Sequence, residues 1–130
     1  MPALAITPVY AALVALLFLA LSVRVIAYRR AHGLSLGDAG NRALLRRTRA
    51  QGNCAEYAPI GLLLLVLLEL QGVAGWAIHG LGAALLAGRA AHAWGFSARP
   101  SVPALRVAGT ALTLTVIAVG ALSLLALALV

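Results

Sequence analysis

Four side chains of complementary chemistry recur at helical spacing in the stretch Arg49-Ala50-Gln51-Gly52-Asn53-Cys54-Ala55-Glu56-Tyr57-Ala58-Pro59. With about 100° of rotation per helical residue and Arg49 set at zero, Asn53 falls near 40°, Glu56 near −20° and Tyr57 near 80°. A cation, an amide, a carboxylate and a phenol therefore share one face. They run directly into the apolar segment Ile60 to Leu68. An ionisable group inside such a segment costs about 2.5–3.5 kcal/mol on insertion scales and is a functional candidate by default.

Further candidates fall at the same level of the chain. Arg24, Arg29 and Arg30 close the first apolar run, Arg89 and His92 stand three residues apart on one helical face, and Arg106 opens the last run. Glu56 is the only carboxylate among them, so the cations cannot neutralise one another. An inward-facing excess of arginine calls for an anionic guest. Arg42, Arg46 and Arg47 read instead as interfacial anchors. Cys54 points about 140° away from Arg49 and is expected to be structural. Glu69 lies toward the other end of its segment, where an anchoring role or a local pair with His79 is expected. His32 falls in a loop and carries no role. The sequence holds neither a metal-ligand cluster, a nucleophile–His–acid set nor a phosphate-binding glycine loop.

These groups need a membrane framework. Of 130 residues, 63% are hydrophobic and only 10% charged, more apolar surface than a soluble chain of this length can hide. The net charge of +7 comes from ten arginines without lysine, set against Asp38, Glu56 and Glu69. The arginines flank apolar runs, so topology explains them better than nucleic acid does. One cysteine excludes an internal disulfide. The first run carries its arginines on the C-terminal side and is long enough to span, unlike a cleaved signal.

The periodicity and breakers predict an all-α membrane protein of one domain, with spans at about 8–28, 41–71, 75–96 and 104–129. Asp38 or Asn41 is placed to cap the second helix, and Pro59 to kink it. Gly80, Ala84 and Gly88 offer a small-residue stripe for close packing in lipid. Short connections favour an up-down bundle. Both arginine-bearing loops then lie on one side, which the positive-inside rule makes cytoplasmic, with both termini outside. Lysine-free, Ala- and Gly-rich composition fits a bacterial inner membrane.

The stretch from Arg49 to Pro59 resembles the second-helix signature of the MAPEG family, membrane-associated proteins in eicosanoid and glutathione metabolism. Val25-Ile26-Ala27-Tyr28-Arg29-Arg30, Gly88-Arg89-Ala90-Ala91-His92-Ala93-Trp94-Gly95-Phe96 and Leu105-Arg106 extend the resemblance over nearly the whole chain. It implies a homotrimer of four-helix subunits binding glutathione between neighbours. Arg30, Arg49, Asn53, Glu56, Tyr57 and Arg89 would contact glutathione, with His92 beside Arg89. Arg106 would stabilise the thiolate, with Arg99 the alternative across the 97–106 loop. Phe96 stands where many catalytic members carry a tyrosine. Glutathione suits the stripe: two carboxylates for arginines, an ammonium for Glu56, and a thiol that ionises more readily beside a cation.

The function so implied is a membrane-bound glutathione-dependent transferase or peroxidase acting on a lipophilic electrophile or hydroperoxide from the surrounding lipid. The alternative is a non-catalytic glutathione- or lipid-binding protein. A small multidrug transporter ranks a distant third. Such a pump needs an isolated carboxylate in an aromatic cavity, whereas Glu56 sits among arginines and the chain has only two Trp, three Tyr and two Phe.

Overall fold

A computed structural model describes residues 3–130, which form four α-helices: α1 (Thr7–His32), α2 (Arg42–Leu70), α3 (Gly75–Ser97) and α4 (Pro103–Ala128). Each boundary has a local cause. Pro8 and Pro103 occupy the first turns of α1 and α4, where a missing N–H costs nothing. Gly33, left-handed at φ 63°, terminates α1. Asn41, not Asp38, caps α2: its side-chain oxygen accepts from the Ala43 and Leu44 amides at 3.0 and 3.1 Å. Asp38 instead shapes the preceding turn, accepting from the Gly40 amide at 2.9 Å. Pro59 lies within α2 without ending it.

Three helices, α1, α2 and α4, are long and apolar enough to cross a membrane. The shorter α3 carries His79, Arg89 and His92 among its glycines. Leu16, Leu19, Val23, Leu114, Leu122 and Leu125 are all exposed, the outer surface expected of a protein solvated by lipid.

The packing is set mainly by glycine. A Cβ added to Gly109 would lie 2.5 Å from the Gly88 carbonyl oxygen and 2.6 Å from the His92 nitrogen, so α3 and α4 touch backbone to backbone there. Gly95 meets the backbone at Arg106 and Val102 in the same way. On another face of α3, Gly82 seats the Tyr10 ring of α1. Helices α1 and α4 thus settle on different flanks of the α2–α3 pair and do not touch among the described residues. The expected stripe resolves differently: Gly88 packs closely, whereas Gly80 faces open space.

Glu69 differs from its sequence reading too. One carboxylate oxygen accepts from the Ala5 and Ile6 amides at 2.8 and 2.7 Å, the other from the Thr7 amide at 2.7 Å. The first turn of α1 has no side-chain cap of its own, so a residue 62 positions away supplies one. His79 pairs instead with Tyr10, Nδ1 to Oη 3.0 Å. These contacts gather the start of α1, the end of α2 and the start of α3 at one end of the molecule.

Two outcomes follow for equilibrium unfolding in detergent. Gly109→Ala is expected to cost about 1–3 kcal/mol, because only backbone could move aside, while Gly80→Ala stays within about 0.5 kcal/mol. Glu69→Ala is expected to cost about 1–2 kcal/mol, with faster amide hydrogen exchange confined to residues 5–7.

Candidate functional site

The centre of the helix assembly holds Arg89, which is only 1% exposed. Its Nε donates to Thr113 Oγ1 of α4 at 2.9 Å. Its Nη1 donates to the Asn53 side-chain oxygen and to the Asn53 carbonyl at 3.3 Å, both on α2. The Tyr57 ring lies beneath the guanidinium, 5.4 Å from Cζ to centroid. Thr113 donates its own O–H to the Gly109 carbonyl at 2.9 Å. Among the described residues no carboxylate shares this group, and the cation is balanced by dipoles and a π face. One nitrogen, Nη2, is buried without a partner.

His92, one turn further along α3, is also buried and lies against Phe96, ring centroids 5.1 Å apart. Phe96 in turn carries Arg106, whose Cζ sits 3.8 Å from the ring centroid. Arg106 Nε is buried and unpartnered. Two clefts open from this arginine. One of about 390 Å³ is lined by Arg42, Arg46, Arg49, Phe96, Ser101 and Arg106. The other, about 450 Å³, follows α4 from His92 and Arg106 to the apolar Val107, Ala111 and Leu114. The lining of the second changes from cationic to greasy along its length.

The predicted site residues therefore fall into three groups. Half-buried Asn53 and Tyr57 join buried Arg89 in the network. Arg49, His92 and Arg106 line the clefts. Arg30 and Glu56 are exposed and lie apart from both; Arg30 borders a separate recess with Arg29 and Ser35 at the end of α1. The stripe on α2 straddles a boundary, turning Asn53 and Tyr57 inward while Arg49 and Glu56 face out. Cys54 is buried among Val14, Leu21, Ala50, Ala58 and Ala93 in the apolar core. Thr113 was missed. Its signal was present, because seven residues separate it from Arg106, which returns it to the same helical face two turns on.

A long helical membrane protein with a buried guanidinium network beside an arginine-lined cleft is thus defined. The MAPEG family model matches residues 7–127. The inner membrane protein YecN of Escherichia coli (strain K12) is 37% identical over 94 residues, 72% of this chain and 72% of that protein. YecN of Escherichia coli O6:H1 gives the same figures. The chain belongs to the MAPEG family.

Thr113→Val leaves Arg89 Nε buried without an acceptor and is expected to cost about 1–3 kcal/mol. Thr115→Val, which removes an exposed hydroxyl bonded only within its own helix at 2.8 Å, should change stability by less than about 0.5 kcal/mol. Unfolding of the two variants in the same detergent compares them directly.

Proposed function

We propose that this protein is a membrane-bound, glutathione-dependent transferase or peroxidase acting on a lipophilic electrophile or hydroperoxide. The observation that carries the reading is Arg106: a guanidinium held on Phe96, with Nε buried and unpartnered, in a cleft shared with Arg49. The donor set fits glutathione, since Arg42, Arg46, Arg49 and Arg106 offer guanidinium groups to its two carboxylates. Glutathione, when bound, supplies the sulfur nucleophile. Arg49 orients a carboxylate. Arg106 holds negative charge at the sulfur, acting as a fixed electrostatic partner and not as a proton carrier. Asn53 and Tyr57, fixed by Arg89, position the inner edge of the α2 stripe. The apolar end of the cleft along α4 receives the lipophilic partner from the bilayer.

In this reading α3 crosses the bilayer with the other three helices in an up-down order. The relative YecN, named as an inner membrane protein, supports the same location here, with the arginine-bearing loops cytoplasmic and both termini periplasmic. The chain works as a homotrimer in which a neighbour brings its Arg30 to the exposed Arg49 and Glu56, and Glu56 takes the ammonium of glutathione. Phe96 favours a second reading, a glutathione- or lipid-binding protein without turnover, because no hydroxyl stands at that position.

Direct glutathione binding separates the two. Wild type is expected to bind and to show the ultraviolet absorbance of a thiolate. Arg49→Ala should weaken binding by about tenfold, the loss of one charge-assisted contact. Arg106→Ala should bind with no thiolate signal. Wild-type binding without thiolate, and without turnover across a panel of electrophiles, selects the non-catalytic reading; no glutathione binding at all removes the enzyme and leaves only the lipid-binding form of the second reading.

A further inference from the structure

A second arginine-lined recess adjoins the cleft assigned above, sharing Arg46 and Phe96 with it. Arg24 of α1, Arg46 and Arg47 of α2, and Arg99 of the α3–α4 loop line one recess with Phe96 and Ser97. Four guanidinium groups from three parts of the chain thus face a common space, and no carboxylate lines it. Interfacial anchoring does not account for this arrangement. A snorkelling arginine extends away from the protein, whereas half-buried Arg24 turns toward the helix assembly and donates through Nη1 to Ser97 Oγ at 2.5 Å. Arg47 is fixed as well, with Cζ 4.3 Å from the Tyr28 ring centroid and Nη1 donating to the Ala43 carbonyl at 2.9 Å. Tyr28 is itself held, bonded to Asn41 at 3.1 Å and stacked on His32 at 3.9 Å. Two of the cations are therefore built in place, while Arg46 and Arg99 stand exposed at the mouth.

Ser97 accepts from Arg24, which leaves its O–H free to donate into the recess. The donor set is entirely cationic or hydroxylic, which selects an oxyanion with several acceptor oxygens. The enclosed space is about 20 Å³, room for one water-sized group. An anion would insert a single oxygen and leave the remainder at the mouth between Arg46 and Arg99. We propose that this recess binds a phosphate group, carried by an anionic phospholipid headgroup or free in solution. The recess shares Arg46 and Phe96 with the Arg49–Arg106 cleft, but Arg24, Arg47, Ser97 and Arg99 belong to it and do not line that cleft. It sits at the arginine-bearing end of the helices, where lipid phosphates lie.

The test is native mass spectrometry of the full-length protein in detergent, titrated with phosphatidylglycerol or phosphatidylcholine at fixed ionic strength. Phosphatidylglycerol is expected to bind about tenfold more tightly than phosphatidylcholine, a preference lost in Arg24→Gln/Arg99→Gln. Arg30→Gln removes the same charge from a different recess and should leave the preference within about twofold. Arg99→Gln alone, an exposed loop change, keeps the test available should the double variant not fold, and is expected to weaken binding in the same direction. Inorganic phosphate then separates the two sources. Displacement of the lipid by millimolar phosphate marks a site open to the free ion, and resistance marks a headgroup site. Equal binding of the two lipids without phosphate displacement, or equal losses in Arg99→Gln and Arg30→Gln, overturns the proposal.

Discussion

The arrangement depends on keeping one guanidinium dry. Arg89 is more deeply buried than any other charged side chain among the described residues, and its charge is met by dipoles from two other helices. Leaving such a group without partners in an apolar interior costs several kcal/mol, so α2 and α4 are held to the positions at which Asn53 and Thr113 reach it. The close backbone contact between Gly88 and Gly109 brings Thr113 within reach. Any larger residue at those glycines would move α4 away and break the network. Small residues and the buried charge thus form one device, and its effect is to fix Asn53 on one side and the helix bearing Arg106 on the other.

The two ends of the molecule have opposite electrostatic solutions. At one, Glu69 closes the first turn of α1 with three backbone hydrogen bonds, tying α1 to the end of α2. At the other, arginines gather around recesses that no carboxylate lines, and the structure spaces them with aromatic rings: Phe96 under Arg106, Tyr28 under Arg47. A ring face stabilises a cation without neutralising it. The arginines are thereby ordered yet still able to attract an anion, which a carboxylate partner would have prevented.

The sequence made the helices and the polar stripe legible because both rest on local periodicity. Apolar runs bounded by Pro, Gly and Arg located four helices, and the 100° rule put Cys54 on a different side of α2 from Arg49, the one buried in the apolar core and the other exposed. What remained hidden depends on contacts between segments distant along the chain. Glu69 caps a helix 62 residues away, and no local rule links a carboxylate at the end of one helix to another helix's first amides. The stripe was read as a single face, but a neighbour's position decides which part of a face is inside: Asn53 turned inward and Glu56 outward. The small-residue pattern misled for the same reason. Gly80, Ala84 and Gly88 have the spacing for close packing, yet a glycine matters only where another backbone arrives, and α4 arrives at Gly88 and Gly95.

The outward half of the stripe carries the strongest argument for assembly. Glu56 is exposed one turn from Ile60, on a helix apolar enough to lie in lipid. A lone charged group there would cost about 2.5–3.5 kcal/mol. Arg49, also exposed, is two turns away on the same face, too far along the axis (roughly 10 Å at 1.5 Å per residue) for close pairing within the helix. The charge on Glu56 is affordable only if another group covers it. The open flank between α1 and α4 gives the subunit no internal means of doing so, because neither helix wraps across that face to meet the other. In the proposed trimer, a cation from a neighbouring copy and the ammonium of bound glutathione would meet Glu56 without disturbing the Arg89 network. This requirement is the physical basis for the trimer and the shared glutathione site proposed above.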